Sequence, residues 1–145
     1  MRPGTFLKYW LPVFAMMALI FWMSTDAFSS ANTSAVIGPV VKFFSPSVSP
    51  HELYAINAAI RKSGHIAEYF VLGLVCFRAF RAGRREKGTI LRSAFLSVLM
   101  VALYAFTDEF HQSFVKSRGG LEAIDIVIDT VGGALAQVVS MLWLR

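Results

Sequence analysis

Four blocks of apolar residues dominate the chain, at about 6–23, 64–80, 90–107 and 121–144. Each is close to the ~20 residues that a helix needs to cross a bilayer. Hydrophobic residues make up 56% of the chain and charged residues 16%, with a mean hydropathy of +0.58, against roughly 45–50% and about 25% in soluble domains. That balance excludes a disordered chain and argues against a water-soluble one. The expectation is an all-α integral membrane bundle of four transmembrane helices, forming a single domain over 1–145. A net charge of +5 and a pI near 9.7 would suggest nucleic acid in a soluble protein. Here the basic residues are read as topology signals, and no nucleic-acid partner is expected. The lone Cys76 excludes an internal disulfide and any multi-cysteine metal site.

The first block begins after Arg2, contains Lys8 and ends at Ser24-Thr25-Asp26. Tyr9, Trp10, Phe21 and Trp22 near its two ends fit interface belts, so an uncleaved helix is preferred over a signal peptide. From Ser24 to Ser63 the chain is polar and punctuated by Pro39, Pro46 and Pro50, and is read as a long connecting segment. Within it, Ser49-Pro50-His51-Glu52 has the form of a capping box with proline at the first helical position. The spacing of Leu53, Ile56 and Ile60 then predicts a short interfacial helix before the second span.

Nine of the basic residues fall on the side of both termini, including a dense run from Arg78 to Arg92 between the second and third spans. Five fall on the other side: Lys42, Arg61, Lys62, Lys116 and Arg118. The positive-inside rule predicts a multi-pass protein of the cell membrane with both termini cytoplasmic. The Arg78–Arg92 run also suits contact with anionic lipid.

Charged side chains in the middle of a span cost about 2.5–3.5 kcal/mol each on the insertion scale, so they should face a partner or a cavity. On the fourth block, Glu122, Asp125, Asp129, Gly132, Gly133, Ala136 and Ser140 share about a 100° arc at helical spacing. Ile124, Val127, Ile128, Val131, Leu135, Val138 and Leu142 fall outside it and are expected to meet lipid. On the second block Lys62, His65, Glu68 and Tyr69 share a face, with Leu72 and Cys76 continuing below them. The third block runs into Asp108, Glu109, His111 and Gln112; Glu109 is expected to face the headgroups. Three helices thus bring polar residues to one depth on one side of the membrane.

The string Lys62-x-x-His65-x-x-x-Tyr69, followed by Asp108-Glu109-x-His111-Gln112-x-Phe114-x-x-x-Arg118 and Asp125-x-x-x-Asp129-x-x-Gly132, resembles the signature of VanZ-like membrane proteins. The resemblance covers about 61–137. It implies a small helical bundle and an association with low-level resistance to the lipoglycopeptide teicoplanin. Val115-Lys116 stands where the family often has Pro-Gly ahead of the arginine, and Asp129 where Asn is frequent.

The candidates for acid/base chemistry or metal ligation are His65, Glu68, Asp108, His111 and Asp125. Those placed to hold a ligand are Lys62, Tyr69, Gln112, Arg118 and Asp129. Two histidines among carboxylates suit either a divalent metal or an acid/base pair, and the absence of HExxH spacing names neither. Arg118 is read equally as a clamp for an anionic group and as an ion-pair partner for Asp125. Cys76 is expected to be a packing residue. The leading expectation is a cell-envelope protein, surrounded by membrane lipids, that binds or modifies an anionic lipid-linked or lipid-bearing molecule at an outward-facing polar cavity. The alternatives are a small proton-coupled transporter and a non-catalytic assembly partner. Enzyme or not, the substrate and the oligomeric state are left open.

Overall fold

The computed structural model describes residues 3–82, 87–115 and 122–144. The helices are α1 (Pro3–Met23), α2 (Ser30–Phe44), α3 (Pro50–Arg81), α4 (Lys87–Gln112) and α5 (Ala123–Trp143), with a single 3-10 turn at Asp26–Phe28. No strand occurs among the described residues. The all-α expectation holds.

Among the described residues three helices, Gly4–Met23, Gly88–Gln112 and Ala123–Trp143, are long and apolar enough to cross a membrane. They correspond to the first, third and fourth sequence blocks. The second block lies on α3, which Glu68, Arg78 and Arg81 make too polar to qualify by composition. At 32 residues it is about 48 Å long, well beyond the ~30 Å of a hydrocarbon core. It packs against α1, α2, α4 and α5, which leaves Tyr69 buried and Glu68 half-buried while Arg78, near its end, stays exposed.

Two local expectations need correction. The capping box is present: Ser49 N–H donates to Glu52 Oε2 at 2.8 Å and Glu52 N–H donates to Ser49 Oγ at 3.3 Å. These bonds from the Ser49 backbone and hydroxyl hold the Glu52 carboxyl below its ordinary range. The helix that starts there is not short, however. It runs unbroken through Ser63-Gly64 to Arg81, because Asn57, buried at its first third, ties it to α2 through Ser30 and Ser34 and no residue from 51 to 81 is proline. It ends at Ala82, whose left-handed φ of 44° closes the last turn. The connecting segment before it is partly helical as well. At 15 residues, α2 is about 22 Å long, and it carries Pro39 in its later half while exposing Val36, Val40, Phe43 and Phe44.

Val13 and Ile20 of α1, Tyr69, Leu72, Cys76 and Ala79 of α3, and Val101 and Ala105 of α4 make the core. Cys76 packs there as expected. From α5 the bundle takes backbone proximity in place of bulk. A β-carbon added at Gly132 would stand 2.7 Å from the Ile66 carbonyl oxygen, and one at Gly73 would stand 2.9 Å from that of Gly133. The small-residue face of α5 therefore meets α3 at backbone contact. Ile124, Val127, Val131, Leu135, Val138 and Leu142 are exposed on the opposite face, as the helical arc required, whereas Ile128, also expected to meet lipid, is half-buried at the margin of that face.

Candidate functional site

The close approach of Gly132 to Ile66 sets α5 beside α3 at the level of His65. Asp129, one turn before Gly132, consequently faces that imidazole, with His65 Nδ1 and Asp129 Oδ1 3.5 Å apart. Asp129 is buried, 3% exposed, and His65 is partly buried. Neither of these two atoms has a hydrogen-bond partner.

Asp108 of α4 completes the group. It is also 3% exposed and accepts hydrogen bonds from Ser24 Oγ, from Tyr69 Oη at 3.2 Å and from Gln112 Nε2 at 2.8 Å. These donors come from the end of α1, from α3 one turn below His65, and from α4 one turn beyond Asp108. His65, Asp108 and Asp129 each offer a ligand atom, and all three atoms lie within 4.8 Å of one another. Tyr69, fully buried, and Gln112 therefore belong to the same cluster.

Nearer the surface, Lys62 Nζ pairs with Asp125 Oδ1 at 3.1 Å. Asp125 thus has a cation from α3, whereas Arg118, the partner weighed from sequence, lies outside the described residues, as does Lys116. The Lys62–Asp125 pair borders a cleft of about 150 Å³ with Arg61, His65, Glu109 and Gln112. A second cleft, about 170 Å³, is lined by Met23, Phe28, Ile37, Arg61, His65 and Glu68, among others. Arg61 and His65 line both. Glu68 thus faces the α1–α2 side of the cluster.

His111 stands apart from these. Three residues beyond Asp108, it turns toward α1, where its ring lies 4.3 Å from that of Phe21. Glu109 corrects an expectation: it is 6% exposed and does not face headgroups. Its Oε1 accepts the Glu122 backbone N–H at 2.7 Å, satisfying a donor at the start of α5 that would otherwise be orphaned. Ser24 and Arg61 were absent from the sequence candidates. Ser24 signals only the end of an apolar block, and its partner is 84 positions away. Arg61 enters the sequence reading only as a topology cation and as a polar position of the interfacial helix.

The VanZ/LLP1 family model matches residues 9–144, almost the whole chain and every element of the cluster. The chain belongs to the VanZ/LLP1 family. No curated protein and no solved structure matches it. The match takes in α1 from Tyr9 onward and all of α2 of this VanZ/LLP1 protein, ahead of the motifs at 62–132, so Ser24 falls inside the family region along with Asp108.

Proposed function

We propose that this VanZ/LLP1 protein binds an anionic lipid-linked or lipid-bearing molecule at the polar end of its bundle, and that this binding underlies a role in resistance to the lipoglycopeptide teicoplanin. The observation that carries the reading is the cleft where Arg61 stands beside Met23, Phe28, Ile37 and Ile60, with His65 and the Glu68 carboxylate also in its lining. An apolar wall with a guanidinium at its edge suits an acyl or polyprenyl chain ending in a phosphate or carboxylate, which arginine grips bidentately. Lys62 adds a second cation at the neighbouring cleft, half engaged with Asp125 and half exposed.

Beneath the cluster Leu72, Val101, Ala105 and Ala136 are fully buried; the polar residues buried with them, Ser97 and Gln137, donate to helix carbonyls and carry no titratable group, which favours a terminal binding site over the through-path a proton-coupled carrier requires. The protein sits in the cell membrane with the cluster on the outer side, by the positive-inside count.

Native mass spectrometry of the detergent-solubilised protein with a polyprenyl phosphate, and with phosphatidylcholine as the zwitterionic comparison, tests the reading. The wild type should retain the polyprenyl phosphate in preference, Arg61→Gln should lose that preference, and cells carrying Arg61→Gln should become more sensitive to teicoplanin. Equal retention of both lipids by the wild type would sink it.

A further inference from the structure

We propose that His65, Asp108 and Asp129 together bind one divalent transition-metal ion of the zinc(II) class. The site adjoins the clefts of the anion-binding reading, which His65 also lines, but does not depend on that reading.

Three helices each bring one ligand atom to within 4.8 Å of the other two. A second observation points into the same space: the inward atoms of His65 and Asp129, Nδ1 and Oδ1, are buried without a hydrogen bond. Buried polar atoms are almost always satisfied, and an unmatched carboxylate inside a membrane bundle is costly. With the imidazole proton on Nε2, Nδ1 presents a lone pair beside the lone pairs of Oδ1. A cation between them satisfies both at once and offsets the paired charges of Asp108 and Asp129.

The His65–Asp129 distance fits such an ion. Ligands about 2.0–2.2 Å from a tetrahedral zinc stand roughly 3.3–3.6 Å from each other, and His65 Nδ1 and Asp129 Oδ1 are 3.5 Å apart. Asp108 is already oriented by Ser24, Tyr69 and Gln112, the kind of outer hydrogen bonding that holds ligating carboxylates in place. One imidazole nitrogen with two carboxylate oxygens suits zinc-like ions better than the all-oxygen sets of magnesium or calcium. Three protein ligands leave a fourth position open, and His65 borders both clefts through which water or a ligand oxygen would reach it.

The test uses the full chain in detergent, stripped with a chelator and titrated with zinc(II) by calorimetry and with cobalt(II) by visible spectroscopy. The wild type should take up one equivalent of zinc, and cobalt should show the absorption of a four-coordinate site. His65→Gln and Asp129→Asn should each lose more than the about 10–100-fold in affinity that removal of an outer partner costs, and Ser24→Ala should fall within that range with the cobalt bands shifted. His51→Ala, which removes an exposed histidine at the start of α3, should bind as the wild type does. If Asp129→Asn fails to fold, the wild-type titration and His65→Gln decide the matter. No uptake by the wild type, unchanged affinity in His65→Gln, or loss of the cobalt bands in His51→Ala each overturns the proposal.

Discussion

Asp108 accepts hydrogen bonds from three side chains that the chain supplies from three separate places. A carboxylate so far from water needs that number, because each lone pair left unmatched in a bundle interior raises its cost. Tyr69 is the most buried of the donors and has no other hydroxyl contact to fall back on among those described. Tyr69→Phe keeps the ring in its packing and removes only the donor, so it should lower stability by about 1–2 kcal/mol. Unfolding of the detergent-solubilised protein by added denaturing detergent reads this directly; an unchanged midpoint would mean that Asp108 does not rely on that bond. At this scale much was legible in advance. His65, Asp108 and Asp129 betray themselves as polar residues in apolar surroundings. Ser24 does not, since a serine closing an apolar block has an ordinary local explanation and its contact with Asp108 exists only once α1 and α4 are side by side. Glu109 misled for the same reason: its exposure depends on where α5 begins, which spacing along α4 does not specify.

The contact between α3 and α5 depends on the absence of side chains. Gly132 and Gly133 are neighbours in sequence but face different obstacles: backbone in the first case, and the Val101 side chain, 2.6 Å from an added β-carbon, in the second. Neither obstacle yields easily: the helix holds the backbone in place, and Val101 is fully buried and β-branched, with its own Cβ 3.0 Å from the added carbon. Gly132→Ala and Gly133→Ala are therefore each expected to cost about 1–3 kcal/mol, and Gly132→Ala also to displace Asp129 from His65. The two unfolding midpoints check this, and an unchanged midpoint in either variant would contradict the packing described. The face that α5 turns inward was readable from its helical arc, because a period of 3.6 is a property of one element alone. The extent of α3 was not. Ser63-Gly64 and the charges around it look like a place for a chain to turn, and what carries the helix through is its burial against α2 and α5, which belongs to the assembled bundle.

For the whole molecule, the polar cluster and the arginine-rich ends of α3 and α4 occupy opposite ends of the bundle. The excess of basic residues at the second of these ends predicts that tags placed near Arg85 react only from the cytoplasm and tags near Ser45 only from outside. Labelling with a membrane-impermeant thiol reagent in intact and opened cells checks this, and a reversed pattern would put the cluster on the inner side.

The length of α3 has a further consequence when its cations are measured along it. Arg61 and Arg81 are twenty residues apart on one unbroken helix, about 30 Å at 1.5 Å per residue, which is the thickness of a typical hydrocarbon core. The helix therefore acts as a ruler graduated at both ends: when Arg78 and Arg81 rest among the headgroups of one leaflet, Arg61 and Lys62 rest among those of the other. His65 then lies one turn below the surface, at the depth where acyl chains join their headgroups, and a lipid can reach it sideways from within its own leaflet. A thicker bilayer would draw the cluster under hydrocarbon and a thinner one would leave it in water, since matching the two costs fractions of a kcal/mol per ångström. On the lipid-binding reading proposed above, occupancy of the clefts should vary with acyl-chain length as well as with headgroup charge.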